Sequence, residues 1–186
     1  MKVYRDIGAL PEFKKAVLTI GTFDGVHLGH KQIIKQLLKE AAAVSGTPVL
    51  ITFHPHPKQV VASVQKPIFM LNNPEEKYKL LHDAGIPNIV VVPFNSEFAN
   101  QPASSYISDF LVNKFHPHTI IIGYDHKFGK NRSGDYHLLE KESEKFGYMV
   151  KEIPEHILQD VTISSTRIRE ALLSGDIDTA NEFLGY

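Results

Sequence analysis

Residues 21–30 read Gly21-Thr22-Phe23-Asp24-Gly25-Val26-His27-Leu28-Gly29-His30, and this stretch decides the fold. It follows an apolar run, Ala16–Ile20, that reads as a buried strand, and it opens a segment with the apolar spacing of a helix. A strand, a glycine-rich turn and a helix in this order form a phosphate site, because backbone N–H groups and the positive end of the helix dipole converge there. The glycines allow close approach of a phosphate, and His27 and His30 add side-chain donors.

The pattern of His27, Gly29 and His30 resembles the nucleotidyltransferase superfamily, whose members transfer a nucleoside monophosphate from a triphosphate to another phosphate. The stretch is not a Walker loop, because no Gly-Lys-Ser/Thr follows. Its glycines are four residues apart, which does not match the dinucleotide-binding fingerprint. An ordinary strand-to-helix turn with incidental histidines is the alternative, and the context between a strand and a helix disfavours it.

Composition limits the classes of protein to which the chain can belong. Its 186 residues suit one domain, and 42% hydrophobic residues suffice for a core. A net charge of −1 disfavours a nucleic-acid-binding protein, which would carry a basic face. The absence of cysteine excludes disulfides and thiolate metal sites. The N-terminus lacks an apolar signal core, and no apolar run nears the roughly 20 residues of a membrane span, so we expect a cytoplasmic protein without membrane contacts.

Strands and helices alternate along the chain. The predicted strands are Ala16–Ile20, Val49–Phe53, Asn88–Val92, Thr119–Ile122 and Met149–Ile153. The predicted helices are one with its apolar face from Ile33 to Ala41, and Asn73–Ala84, Ala103–Phe115, Asp135–Phe146, Ser165–Leu173 and Asp176–Leu184. The segment from about 54 to 71 lacks periodicity and reads as a long loop or flap. This alternation predicts an α/β fold with a parallel sheet covered by helices on both faces, whose ligands bind beyond the carboxyl ends of the strands.

The segment Phe53–Pro57 leaves the second predicted strand, and its two prolines hold a stiff, extended turn. His54 or His56 could contact phosphate or base in the crevice beyond the strand. Two alternatives stay open. One is a His-x-His metal site, which has no obvious third ligand, and the other is a rigid turn with exposed histidines.

The segment Gly123–Asp135 leaves the fourth predicted strand and mixes cations, aromatic residues and glycines. It could hold an anionic substrate that carries a flat ring, because Phe128 offers a stacking surface. Lys127, Lys130 or Arg132 would then lie near phosphate. The alternative is a solvated loop whose charges bind nothing.

The segment Ile163–Arg169 begins a late helix. Ser164 or Ser165 can cap this helix, and the free N–H groups of its first turn form another anion site. Arg167 and Arg169 are two residues apart and point to different faces, so at most one faces a triphosphate. Taken alone, the segment is better explained as a capped helix with two surface arginines, and the histidine motif adds weight to the anion site.

Together these segments resemble the bacterial bifunctional riboflavin kinase/FMN adenylyltransferase family, or FAD synthetase. The resembling pieces span nearly the whole chain and are Gly21–His30, Phe53–Pro57, Asn73–Lys77, Gly123–Asp135 and Ile163–Arg169. The resemblance implies a Rossmann-like nucleotidyltransferase fold, with residues 1–186 forming the adenylyltransferase domain and the riboflavin kinase domain absent from this chain. It implies ATP and FMN as substrates and Mg²⁺ with ATP. The implied reaction transfers AMP from ATP to FMN and gives FAD and pyrophosphate.

The resemblance also implies roles for single residues. His27 and His30 would donate to triphosphate oxygens, and Arg169 would hold the leaving group. The implied ATP-binding residues are Gly21, Phe23, Asp24, Gly29, Ser164, Ser165 and Thr166. The implied FMN-binding residues are His56, Asp125 and Phe128. Arg167 falls at a variable position, and Asp125-His126-Lys127 departs from the more apolar pattern usual there.

Two other functions stay open. A cytidylyltransferase that acts on a small phosphorylated alcohol would carry a similar histidine motif, although the His-Pro-His-Pro turn and the loop around Phe128 favour a flavin. A flavin- or nucleotide-binding module without turnover is disfavoured because no catalytic group is obviously missing. Since the three anion-binding segments converge on one crevice, we expect the chain to convert FMN but not riboflavin.

Overall fold

A parallel β-sheet forms the centre of the fold. The computed structural model describes residues 1–61, 68–153 and 163–186. Its strands are β1 (Lys2–Tyr4), β2 (Ala16–Ile20), β3 (Pro48–His54), β4 (Asn88–Pro93), β5 (Pro117–Gly123) and β6 (Met149–Ile153). Their order in the sheet is β1-β4-β3-β2-β5-β6, and each neighbouring pair runs parallel.

Helices connect the strands. They are α1 (Leu28–Val44), α2 (Pro57–Val61), α3 (Pro74–Asp83), α4 (Ser96–Ala99), α5, α6 (Tyr136–Phe146), α7 (Ser165–Ser174) and α8 (Ile177–Leu184). The helix α5 consists of three consecutive parts, Ala103–Ser105, the π-helical Tyr106–Val112 and Asn113–Phe115. Short polar side chains cap five of the helices, because their oxygens accept otherwise unpaired N–H groups of the first turn. These caps are Asn73 of α3, Asn95 of α4, Asp135 of α6, Ser164 of α7 and Asp176 of α8.

The strand order reverses at β2. From β2 the chain moves to β3 and β4 on one side, and it then crosses to β5 on the other side of β2. In open α/β sheets, ligands bind in the crevice outside the carboxyl ends of the strands at such a reversal. The segments that follow β2, β3 and β5 therefore share one edge of the sheet.

Apolar side chains cover both faces of the sheet. One face packs against α5 and α6 through a cluster that includes Phe110, Leu111 and Leu139. The other face packs against α1 and α3 through a cluster that includes Leu37 and Leu81. All five residues of β2 are buried, as expected for a central strand of a parallel sheet. The predicted parallel sheet with helices on both faces is confirmed.

Sequence patterns located most elements and missed the shortest ones. The predicted bounds of β2 and β6 match those of the structure, and the other predicted strands differ by one or two residues. The strand β1 was missed because three residues at a sheet edge are too few to show a period. The prediction of a loop over 54–71 is wrong for residues 57–61, which form the helix α2 starting at Pro57. Part of that predicted loop, residues 62–67, lies outside the described residues.

The packing of α1 against the sheet yields a stability prediction. Leu37 is fully buried on the inner face of α1, whereas Lys39 lies exposed on the same helix. We expect Leu37→Ala to lower the free energy of unfolding by about 2–5 kcal/mol, because it removes buried methyl groups and leaves a cavity. Lys39→Ala should change it by less than about 0.5 kcal/mol. Urea unfolding of both variants measures this, and equal effects would contradict the described packing.

Candidate active site

The turn between β2 and α1 has an unusual backbone. Phe23, Gly25 and Val26 have φ angles of 50°, 82° and 37°, in the left-handed region that favours glycine. A non-glycine residue there costs on the order of 1–3 kcal/mol and persists only where its surroundings enforce it. Here the side chains of Phe23 and Val26 are buried under the turn. Strain of this kind is typical of functional sites.

His27 and His30 stack on each other at the start of α1, with ring centroids 3.7 Å apart. The His30 backbone N–H donates to Nδ1 of His27 at 3.3 Å, so the neutral His27 ring carries its proton on Nε2. Burial lowers the pKa of His27 to about 4. Burial also lowers the pKa of His30 well below its ordinary value, with smaller contributions from His27 and Lys77. Both rings are therefore neutral hydrogen-bonding groups at pH 7, and Nδ1 of His30 is buried without a partner among the described residues.

Gly29 lies close to two segments of the site. A Cβ atom at Gly29 would lie 3.2 Å from the His27 ring and 3.5 Å from the Ile163 carbonyl oxygen. The first turn of α1 therefore lies beside the residues that lead into α7. This is where the sequence analysis placed two anion-binding helix ends.

Asp24 joins the turn to two distant segments. Its side chain is 1% exposed; one carboxylate oxygen accepts the Leu71 backbone N–H at 3.0 Å, and the other is paired with the Arg169 guanidinium. Arg169 also donates to the carbonyl oxygens of Phe69 at 2.6 Å and Ser165 at 3.0 Å. In addition, the Ser165 hydroxyl donates to the Asp24 carbonyl oxygen at 2.9 Å. These contacts bring Arg169 and Ser165 to the β2–α1 turn.

The polar residues at the start of α7 have different contacts. Ser164 caps the helix by accepting the Arg167 backbone N–H at 3.2 Å. Thr166 is exposed. The guanidinium carbon of Arg167 lies 5.5 Å from the centre of the Phe183 ring, on a different face from Arg169. The prediction that the two arginines point to different faces is confirmed.

Of the two histidines at and after the end of β3, only His56 belongs to this cluster. His56 is 9% exposed and its Nδ1 accepts the Lys58 backbone N–H at 3.1 Å, whereas His54 is exposed. Burial lowers the pKa of His56 to about 4, the charge of Asp24 opposes this shift, and that of Arg169 reinforces it. His56 therefore lies within electrostatic reach of the Asp24–Arg169 pair. Among the described residues no group of three or more histidine, cysteine or acidic side chains could hold a metal, which leaves the His-x-His metal alternative without a third ligand.

The loop after β5 differs from its predicted role at one position. Phe128 is only 6% exposed and stacks on Tyr106, with ring centroids 4.8 Å apart. The prediction that Phe128 offers an accessible stacking surface is wrong, because its apolar ring packs into the core instead. Phe128 and Gly134 exchange two backbone hydrogen bonds, of 3.0 and 2.9 Å, which close the loop. Asp125 lies exposed near the start of this loop.

His126 in this loop is a half-buried histidine that the sequence analysis did not select. Its Nε2 atom is buried without a partner among the described residues. Burial lowers its pKa to about 4, with the charge of Asp125 opposing the shift. No sequence signal distinguished this histidine from its exposed neighbours, since its burial depends on the shape of the loop.

Lys77 is a second residue that the site-residue prediction missed. Its side chain is buried, and its Nζ donates to the Thr22 carbonyl oxygen at 3.3 Å and to Thr52 Oγ1 at 3.2 Å. Burial lowers the pKa of Lys77 to about 8, with the charge of Asp24 opposing the shift. A sequence signal was available, because Lys77 lies four residues before the buried Leu81 and so shares the inner face of α3.

Comparison with known proteins identifies close similarity to one family. The family model described as FAD synthetase matches residues 10–167. The bifunctional riboflavin kinase/FMN adenylyltransferase of Haemophilus influenzae is 34% identical, over 90% of this chain and 54% of its own length. The protein of that name from Escherichia coli is 32% identical, over 100% of this chain and 60% of its own length. The chain thus spans little more than half the length of these relatives.

Solved structures show the same architecture. A crystal structure described as a macrolide-efflux protein from Streptococcus pneumoniae has a TM-score of 0.80 and 25% identity, over 99% of this chain and 59% of that one. The pantothenate synthetase of Thermus thermophilus has a TM-score of 0.51 and 16% identity, over 94% and 77% of the two chains, and shares the fold alone. Across the described ranges, no helix is long and apolar enough to cross a membrane.

The buried histidines predict how stability depends on pH. The pKa of His126 falls to about 4 on folding, so the unfolded chain binds its proton more readily, and stability is lost as the pH falls from about 6.5 to 4. We expect His126→Phe to reduce the slope of unfolding free energy against pH in this window by up to about 1.4 kcal/mol per pH unit, the value for one proton. The exposed His54→Phe serves as the control. The free energy of unfolding is measured with urea at several pH values between 7 and 4.5. Equal slopes of this free energy against pH for His126→Phe and the unchanged chain would contradict the lowered pKa of His126.

Proposed function

This chain belongs to the FAD synthetase family, and from that premise we propose that it transfers AMP from ATP to the phosphate of FMN, forming FAD and pyrophosphate. The observation that carries the proposal is the neutral, stacked pair His27 and His30 at the N-terminus of α1, beside the Asp24–Arg169 ion pair. This group lies at the carboxyl end of β2, where the strand order reverses. A triphosphate fits this place because helix N–H groups and side-chain donors converge there.

The two histidines bind the triphosphate as neutral donors. The Nε2–H of His27 is free to donate to a phosphate oxygen, since its Nδ1 is already used by the His30 backbone N–H. The Nδ1 atom of His30 is buried without a hydrogen-bond partner among the described residues, so the ring keeps an unused hydrogen-bonding atom next to the proposed phosphate site. In this proposal Gly21, Phe23 and Gly29 form the backbone of the turn beside the phosphates, and Ser164, Ser165 and Thr166 supply the N-terminus of α7 as a second anion-binding end.

Arg169 holds the leaving pyrophosphate. A guanidinium has five N–H donors, and contacts to Asp24, Ser165 and Phe69 use three of them. The other two remain for phosphate oxygens while the ion pair with Asp24 fixes the position of the side chain. A prepositioned cation of this kind stabilises negative charge in the transition state without reorganising during the reaction.

The reaction needs no general base. An ionised oxygen of the FMN phosphate attacks the α-phosphorus of ATP, the bond from that phosphorus to the bridging oxygen of the β-phosphate breaks, and pyrophosphate leaves with the electron pair. Catalysis then consists of holding the two phosphates in line and stabilising the charge that develops on them. Imidazoles with a lowered pKa, as in His27 and His30, suit this task because they donate hydrogen bonds and are weak bases.

Magnesium enters with ATP. Both carboxylate oxygens of Asp24 are already engaged, and the described residues offer no cluster of three metal-ligating side chains. Mg²⁺ commonly keeps several water ligands and binds substrate phosphates with one or two protein groups. In this proposal the ion neutralises charge on the triphosphate, and the reaction takes place in the cytoplasm.

FMN occupies the crevice between the segments after β3 and β5. His56 lies within electrostatic reach of the Asp24–Arg169 pair, and Asp125 lies exposed near the start of the β5 loop. Both are candidates for polar contacts with FMN. Phe128 contributes by holding the loop in shape from below, through its stacking on Tyr106.

A product assay tests the proposed function. The purified chain is incubated with FMN, ATP and Mg²⁺, the flavins are separated by chromatography, and pyrophosphate is measured in parallel. We expect FAD and pyrophosphate in equal amounts, and no FMN when riboflavin replaces FMN. Absence of FAD, preference for CTP over ATP, or tight binding without pyrophosphate release would contradict the proposal.

Substitution of His30 tests the proposed phosphate contacts. We expect His30→Ala to lower kcat by about 100-fold or more, the usual effect of losing one transition-state donor. The melting temperature should change little, because the substitution also removes a buried nitrogen without a partner. His54→Ala, at the exposed end of β3, is the matched control and should keep its activity. Steady-state kinetics and thermal melting on one preparation decide; normal turnover of His30→Ala would refute the assignment.

A further inference from the structure

Lys77 carries a buried charge directly beneath the β2–α1 turn. It lies in the first turns of α3, with 7% of its surface exposed. The Thr22 carbonyl oxygen accepts hydrogen bonds from both the Lys77 ammonium, at 3.3 Å, and the Thr52 hydroxyl, at 3.0 Å. The ammonium also donates to Thr52 Oγ1 at 3.2 Å. The hydrogen bonds of Lys77 therefore connect α3 with β3 and with the start of the turn.

No carboxylate balances this charge in the described part of the chain. The acidic group whose charge reaches Lys77 is Asp24, and its carboxylate is paired with Arg169 and hydrogen-bonded to Leu71. The ion pairs formed by the described residues do not include Lys77. A buried ammonium without a counter-charge is unfavourable for folding. A binding site for an anion is a functional reason to keep such a charge.

The hydrogen bond to Thr22 also sets the direction of the next backbone N–H. A peptide unit is planar and trans, so the Phe23 N–H points opposite to the Thr22 carbonyl and away from Lys77. Within the described residues this N–H has no hydrogen-bond partner. The charge of Lys77 also contributes to lowering the pKa of His30, which places the ammonium within electrostatic reach of the histidine pair.

We propose that Lys77 is a positioning residue for the triphosphate of ATP. It fixes the Thr22 carbonyl so that the Phe23 N–H is presented to a phosphate oxygen, and it supplies positive charge below the bound phosphates without touching them. The inference rests on the proposed function, because it assumes that the Gly21–His30 turn binds ATP. It adds a residue of α3 to a site otherwise formed by α1, α7 and the β3 and β5 loops.

Three variants test the inference by calorimetry with MgATP. Lys77→Met removes the charge and keeps the length, Lys77→Arg keeps the charge, and Lys79→Met removes an exposed lysine of the same helix. We expect Lys77→Met to raise the Kd for MgATP about tenfold or more, as for loss of a charged interaction in a partly buried site. Lys79→Met should bind like the unchanged chain, and Lys77→Arg should fall between the two. Without ATP, the melting temperature of Lys77→Met should stay the same or rise, because an unbalanced buried charge is removed.

The pH dependence of binding separates this role from a merely structural one. The groups that face Lys77 are Asp24 with its partner Arg169, His30, His56 and Tyr78. Burial keeps both histidines neutral above pH 7 and raises the pKa of Tyr78, while the pKa of Lys77 is about 8. MgATP binding by the unchanged chain should therefore weaken as the pH rises from 7.5 to 9.5, because the ammonium loses its proton. Binding by Lys77→Arg should stay constant over this range.

The outcomes distinguish this inference from the proposed function. If the unchanged chain and Lys79→Met bind MgATP and Lys77→Met binds equally well, the inference is wrong and the proposed function stands. If the melting temperature of Lys77→Met drops and its loss of binding equals its unfolded fraction, Lys77 is a structural residue and the inference is wrong. If the unchanged chain does not bind MgATP, the proposed function fails, and the inference fails with it.

Discussion

The buried carboxylate of Asp24 is the interaction on which the site depends. A charged group that is 1% exposed is tolerated only when it is paired and hydrogen-bonded, and Arg169 and the Leu71 N–H meet this requirement. Because these partners come from the segment before α3 and from α7, satisfying one charge brings two distant parts of the chain to the end of β2. The same contacts close the strained turn between Phe23 and Val26. Folding and assembly of the candidate site are therefore one process.

Electrostatics around the turn is arranged before any ligand binds. His27 and His30 are neutral because burial disfavours their charged forms, whereas Arg169 and Lys77 are held in place by carbonyl oxygens and the Thr52 hydroxyl. Neutral donors therefore lie at the helix end and fixed cations lie around it. Such a preorganised arrangement suits the transfer of a nucleotidyl group between phosphates, in which charge is redistributed and no strong base is required. The strained backbone is consistent with a turn shaped for binding rather than for stability.

The sequence predicted what local patterns encode and missed what depends on tertiary packing. A wholly apolar run followed by glycines sufficed to place β2, the turn and α1, because burial and backbone freedom are local requirements. The same reasoning misplaced Phe128. An aromatic residue between cations in a loop is expected to be exposed, but in the structure the ring of Phe128 stacks on Tyr106. Lys77 was missed because lysine is rarely buried, although its spacing to Leu81 placed it on the inner face of α3. His126 gave no signal at all, since only the shape of its loop encloses its Nε2 atom.

The most direct test of the account is a crystal structure of this chain with a non-hydrolysable ATP analogue, Mg²⁺ and FMN. We expect the triphosphate at the N-terminus of α1, with phosphate oxygens within hydrogen-bond distance of the His27 and His30 rings, and Arg169 contacting the β- and γ-phosphates while still paired with Asp24. A triphosphate bound elsewhere on the sheet, with both histidine rings away from phosphate, would contradict the account.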